Sequence, residues 1–260
     1  MFKYSFYLII ILIFSNVSII SANPTWVSLE NDSKAMLWFP PKFKADESYP
    51  LLIALHGMGE TVESAYEIWQ PVALELNMIL ICPRGSNFKE GYVRYPVDDR
   101  LNLSRFFYEI CKKYQIDRNR SLLAGFSRGG NFAIETGLVY PYKFKNVVCI
   151  FGFFSDRHKE IADNNINHYG NVYGGSRFLL ITGQGDITQH SQSKAYSEFE
   201  RKEIPVKMLI YPNLFHSIPL DLIEQIREFL PENKNTTLLS QKNKKRMYSP
   251  NIQVEDISSK

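Results

Sequence analysis

Between residues 48 and 232, short runs of consecutive apolar residues alternate with longer stretches that are apolar every third or fourth position. The short runs are Leu51–Leu55, Met78–Cys82, Leu122–Ala124, Val147–Phe151, Phe178–Thr182 and Val206–Tyr211. A run that is apolar on successive residues, not on alternate ones, predicts a strand covered on both faces. The intervals are the length of a helical crossover. Glu63–Leu76 places Ala65, Ile68, Trp69, Val72 and Leu76 on one stripe, and Asp99–Tyr114 does the same with Leu101, Leu103, Phe106, Phe107 and Ile110. Asn131–Tyr140, Ser191–Arg201 and Leu220–Leu230 are further helices on the same reasoning. Strand alternating with helix predicts an α/β fold with a doubly wound, mostly parallel sheet.

An antiparallel hairpin precedes this pattern. Trp26–Leu29 and Ala35–Phe39 are β-like, and Asn31-Asp32-Ser33 between them is turn chemistry. Ser155–Ser176 has no strong periodicity and reads as a loop or small lid. The last helix stops at Pro231, after which the chain turns polar. The expected organisation is a leader over 1–22, one domain over 23–232 and a basic, disordered tail over 233–260.

The leader has Lys3, an apolar run from Tyr4 to Phe14, then small and polar residues ending Ser21-Ala22. This is the layout of a secretory signal peptide. The competing reading is an uncleaved anchor, since Tyr4 to Ala22 is just long enough to span a bilayer. Both export the domain to a secreted or periplasmic location. No later segment is apolar for long enough to cross a membrane.

Charge narrows the partners. Of the net +3, the leader carries +1 and the tail +4, which leaves −2 on the domain. A nucleic-acid enzyme would concentrate basic charge on its core. The three cysteines, Cys82, Cys111 and Cys149, form no CxxC pair, so neither a disulfide scaffold nor a zinc site is expected. Cys82 and Cys149 lie inside apolar runs and read as small buried hydrophobes.

Chemistry concentrates at Gly125-Phe126-Ser127-Arg128-Gly129-Gly130, a GxSxG between a strand and a helical stretch. Such a turn strains the serine backbone and lifts its hydroxyl above the sheet, at the positive end of the next helix. Ser127 is the candidate nucleophile. His216 lies after the last strand and is the candidate base. Asp186 follows the strand Phe178–Thr182 and is the candidate orienting acid, with Asp156 as runner-up. Asp98 and Asp99 read as N-cap residues. The chain order is then nucleophile, acid, base. His56-Gly57-Met58-Gly59 follows the strand Leu51–Leu55. Its Met58 N–H and the N–H of Arg128 are candidates for an oxyanion hole. His56 then reads as structural.

These residues resemble the α/β-hydrolase superfamily and, more narrowly, the phospholipase/carboxylesterase-like small esterases. The resemblance runs over about residues 48–230. It rests on Leu55-His56-Gly57-Met58-Gly59, Cys82-Pro83-Arg84-Gly85, Tyr114-Gln115-Ile116-Asp117, the GxSxG turn, Gly183-Gln184-Gly185-Asp186 and His216. It implies a cofactor-free and metal-free Ser-His-Asp mechanism on small-molecule or polymer esters. Arg128 departs from it by standing where the family usually has glutamine, and Leu214 by standing where a glycine commonly precedes the histidine.

Three other readings compete. A peptidase of the same fold would use the same residues. An exported, non-catalytic binding domain would lack a member of the set, and none is missing. A metal site on His158 and His168, ten residues apart, matches no familiar ligand spacing.

Overall fold

The computed structural model describes residues 23–30, 32–87, 91–92, 98–169 and 175–232. The expected leader, the tail and the charged side chains at 98 and 99 lie outside the described residues. Among the described residues, eight strands form one sheet: β1 (Thr25–Ser28), β2 (Lys34–Trp38), β3 (Leu51–Leu55), β4 (Ile79–Pro83), β5 (Leu122–Phe126), β6 (Asn146–Ile150), β7 (Arg177–Gly183) and β8 (Val206–Tyr211). Five of the six helices described connect consecutive strands from β3 onward, α1 (Val62–Glu75), α2 (Asp98–Lys113), α3 (Arg128–Val139), α4 (Asp156–Tyr169) and α5 (Gln189–Arg201), and α6 (Leu222–Phe229) follows β8.

The strand order is β1-β2-β4-β3-β5-β6-β7-β8. β1 and β2 pair antiparallel, as do β2 and β4, and every later pairing is parallel. The strands β3 to β6 are buried at every position. That is what consecutive apolar residues require when helices cover both faces of a sheet. Two clusters result. One lies against α2, α3 and α5 and includes Phe106, Ile134 and Phe199; the other lies against α1 and α6 and includes Trp69, Ile226 and Phe229. The half-sheet from β3 to β7 therefore has a rigid carboxyl edge, which is where open α/β sheets hold their sites.

Three expectations need correction. The stretch Ser155–Ser176 is not a loop throughout, because α4 occupies Asp156–Tyr169. Its buried stripe is His158, Ile161 and Ala162, with Ile161 only partly buried. A histidine and an alanine at stripe positions hide the helical period from a hydropathy reading. Asp98 and Asp99 fall within the first turn of α2 and do not precede it as caps. Phe151 is not the last residue of its strand: β6 stops at Ile150, and Phe151 turns to φ 52°.

Candidate active site

β5 ends at Phe126, α3 begins at Arg128, and Ser127 is the single residue between them. Its φ is 52° and its ψ −117°. A non-glycine residue rarely holds a positive φ, and such strain collects at functional sites. The surroundings enforce it. The Ser127 N–H donates to the Ile150 carbonyl at 2.7 Å, and the Ser127 carbonyl accepts from Asn131 N–H at 3.1 Å. A side chain at Gly125 would meet the Gly129 carbonyl oxygen at 2.2 Å, and one at Gly129 would meet the Leu55 carbonyl oxygen at 2.5 Å. The turn is thus too cramped for any residue but glycine on either side. It directs the partly buried Ser127 hydroxyl out of the sheet edge.

His216 reaches this hydroxyl from the loop between β8 and α6. Its Nε2 lies 3.1 Å from Ser127 Oγ. The loop is pinned at both ends, because Tyr211 at the end of β8 donates to the Asp221 carboxylate before α6 at 2.8 Å. Leu214 packs into the α1–α6 cluster. The Leu214 carbonyl crosses directly over Gly183, where a side chain would collide with it. The imidazole packs against both Phe126 and Phe151, each ring centroid 5.1 Å from its own, and the two phenyl rings also touch each other. Phe151 holds this place with its backbone in the left-handed region.

Asp186 lies on the turn after β7. Its Oδ2 is 3.5 Å from His216 Nδ1. Its Oδ1 accepts from the Thr188 N–H at 2.8 Å and the Thr188 hydroxyl at 2.6 Å. With its proton committed there, the Thr188 hydroxyl accepts from Thr182 at 2.9 Å. Both threonine side chains are fully buried. Partial burial works to raise the Asp186 pKa. The Thr188 hydrogen bonds and the neighbouring His216 outweigh it and hold the carboxyl below its ordinary value. Asp186 is therefore an anion facing His216. Asp156, the runner-up acid, opens α4 instead.

The loop after β3 runs beside the elbow. Gly57 N–H donates to Glu60 at 2.7 Å, and Gly59 has φ 73°. Arg128 is the first residue of α3, so its N–H has no carbonyl one turn earlier in the helix. Met58 is exposed at the tip of its loop. His56 is not part of this group. It is buried, its Nδ1 lies 2.9 Å from the Gly57 carbonyl, and its Nε2 accepts from Gly85 N–H at 3.2 Å. Burial lowers its pKa, so it stands neutral and ties the β3 loop to the β4 loop. His158 is also committed, with Nδ1 to Ser155 and Nε2 to the Asn131 carbonyl. The described residues contain no cluster of three or more metal-ligating side chains.

Cys82 and Cys149 are fully buried free thiols. Burial pushes the Cys149 thiol up to about 12 and raises Cys82 as well, so neither is a nucleophile near neutral pH.

The residues not singled out by sequence are the supports: Thr182, Thr188, Phe126 and Phe151. Asp186-Ile187-Thr188 is an Asp–x–Thr turn, and that spacing was the available signal for Thr188.

A strained serine on a strand-to-helix elbow, with an aspartate and a histidine delivered by later loops, is the layout of the α/β-hydrolases. Solved structures agree on the fold. FphF, a fluorophosphonate-binding serine hydrolase of Staphylococcus aureus, superposes with a TM-score of 0.63 at 15% identity, over 81% of this chain and 100% of that one. A phospholipase/carboxylesterase from Dyadobacter fermentans gives 0.58 at 18% identity, over 75% and 94%. The family model for phospholipase/carboxylesterase matches residues 102–234, just over half of the chain, and the chain belongs to that family. By that membership it is a hydrolase. A bifunctional acetylxylan esterase/xylanase of Neocallimastix patriciarum is 31% identical over 85 residues, a match spanning 32% of this chain and 13% of that protein's length.

Proposed function

We propose that this protein is a secreted carboxylesterase working by two-step acyl transfer. The observation that carries the reading is His216 Nε2 at 3.1 Å from Ser127 Oγ, with Asp186 behind the other ring nitrogen. His216 takes the Ser127 proton as the oxygen attacks the ester carbonyl. The N–H groups of Met58 and Arg128 hold the oxyanion. Asp186 holds the tautomer that leaves Nε2 free to accept, and it stabilises the imidazolium as it forms. His216 then returns the proton to the departing alcohol, and water releases the acid by the same route in reverse. Family membership and the esterase among the relatives support ester bonds as the target. The leader over residues 1–22 supports export, with cleavage after Ala22.

A fluorophosphonate probe tests the nucleophile. Labelling of wild type and its loss in Ser127→Ala is expected, together with turnover of p-nitrophenyl butyrate by wild type alone. Equal labelling of both proteins would reject Ser127. Export is tested by sequencing the amino terminus of protein recovered from the medium or periplasm, where a start at Asn23 is expected.

A further inference from the structure

Residues 57–60, just after β3, form one tight turn, and the partly buried Glu60 holds it twice. Its N–H donates to the Gly57 carbonyl at 3.3 Å, and Gly59 at the third position has φ 73°. That is the pattern of a type II turn, whose third residue needs a positive φ. The Glu60 side chain then folds back on the same turn, where its Oε2 accepts from the Gly57 N–H at 2.7 Å. The fit is close, since a side chain on Gly57 would meet Oε2 at 2.9 Å. The Gly57 carbonyl is held a second time by His56, whose Nδ1 lies 2.9 Å away. Because His56 Nε2 accepts from Gly85 N–H, Nδ1 carries the proton and donates.

These bonds fix the Met58 N–H. It shares a rigid peptide plane with the Gly57 carbonyl, so holding one aims the other. The plane before it carries the Gly57 N–H, and the joint between the two planes is glycine, the most permissive residue. Both planes must be held for the Met58 N–H to keep one direction, and the Glu60 carboxylate holds the first. Among the described residues nothing accepts from the Met58 N–H itself. The turn is also packed against the elbow, because a side chain on Gly129 would meet the Leu55 and His56 carbonyl oxygens at 2.5 and 2.6 Å. The neighbouring helix does not need Glu60, since Thr61 and Ser64 cap α1 reciprocally. The negative charge of Glu60 works against a developing oxyanion. Any gain to the reaction therefore comes from the hydrogen bond it accepts.

We propose that Glu60 is a positioning residue for the oxyanion hole: by taking up the Gly57 N–H it holds the turn in the one arrangement that presents the Met58 N–H to the substrate oxygen. The proposal rests on the esterase reading above. A donor set before the charge forms stabilises it more than one that must turn into place. The same bond decides which donor the loop offers, since the Gly57 N–H is spent on Glu60 and the Met58 N–H is not.

The test measures kcat and KM for p-nitrophenyl butyrate, together with inhibition by an alkyl trifluoromethyl ketone, whose adduct with Ser127 carries the oxyanion. Glu60→Ala and Glu60→Met both remove the acceptor, and methionine keeps the length of the side chain so that a folded protein remains available. Each is expected to lower kcat about tenfold or more with little change in KM, and to weaken the ketone by a similar factor. Glu60→Gln keeps an acceptor oxygen without the charge and should retain most of kcat. A wild-type kcat in Glu60→Met, with only the melting temperature lowered, overturns the proposal. So does a loss in Glu60→Gln as large as that in Glu60→Met, which would make the charge and not the hydrogen bond the active feature. If wild type turns over no ester and Ser127 takes no fluorophosphonate, the esterase reading itself has failed. If wild type is active and the variants match it, only the Glu60 proposal has.

Discussion

Two histidine-bearing loops leave the carboxyl edge of the same sheet and use the same side chain in opposite ways. The loop after β3 buries His56, and both ring nitrogens are taken up by backbone groups of Gly57 and Gly85. The loop after β8 leaves the His216 side chain 41% exposed, with its nitrogens facing Ser127 and Asp186. The first histidine is a neutral strut between two loops. The second is open to solvent on one flank and packed by Phe126 and Phe151 on others. What separates them is the group opposite each nitrogen, since a backbone carbonyl fixes a tautomer and a serine hydroxyl gives the ring a proton to take.

The sharpest break of this contrast is a pair of substitutions. His216→Ala is expected to lower kcat on p-nitrophenyl butyrate on the order of 10⁶-fold, with an unchanged melting temperature. His56→Ala is expected to do the reverse. Orphaning Gly85 N–H costs about 2 kcal/mol, seen as a melting temperature several degrees lower, while a far larger share of kcat survives. Similar activity losses in the two variants would dissolve the distinction.

The next effect tests how the active loop is held. Gly183→Ala puts a methyl group where the Leu214 carbonyl lies. The loop must move, and a base misplaced by about 1 Å costs about 10²-fold in kcat/KM. Retained activity in steady-state assays would mean that His216 is positioned by its aromatic neighbours alone.

A smaller effect falls on the acid. Thr188→Val removes one of two hydrogen bonds to Asp186 Oδ1 and leaves the buried Thr182 hydroxyl without its acceptor. A loss of about tenfold in kcat/KM is expected. An unchanged kcat/KM would remove Thr188 from the account.

The smallest effect is on stability against pH. The two groups titrate in separate windows. Burial holds the folded His56 pKa below 6.5. The unfolded chain binds the proton more readily, so stability is lost as pH falls from 6.5 through the depressed folded value. Thermal melts of His56→Gln should lose this part of the slope. The Asp186 contribution is intact above 3.8 and is lost only as pH falls from there through its own lower folded value.

The wholly apolar strands β3 to β6 and the helical stripes between them made the α/β class and strand sequence legible along the chain. Ser127 was legible because GxSxG needs glycines on both sides of the strained residue, a demand that is local. Asp186 and His216 were legible by order and by their position just after a strand. The supports were not. Thr182 and Phe151 look like ordinary core residues; Thr182 reaches Asp186 only through the Thr188 hydroxyl, and Phe151 meets His216 from the end of a different strand. The helix α4 was hidden because its buried stripe includes His158 and Ala162, whose burial comes from packing and not from hydrophobicity.

By itself the sequence determined the sheet, the elbow and the order in which three polar residues arrive at one edge, because backbone periodicity and local sterics act over a few neighbouring residues. Only the tertiary structure decided which histidine meets the serine and how the Gly183–Leu214 crossing holds it there. Those depend on distances between segments far apart in the chain, as Ser127 and His216 are, and such distances exist only once the sheet has brought the loops together.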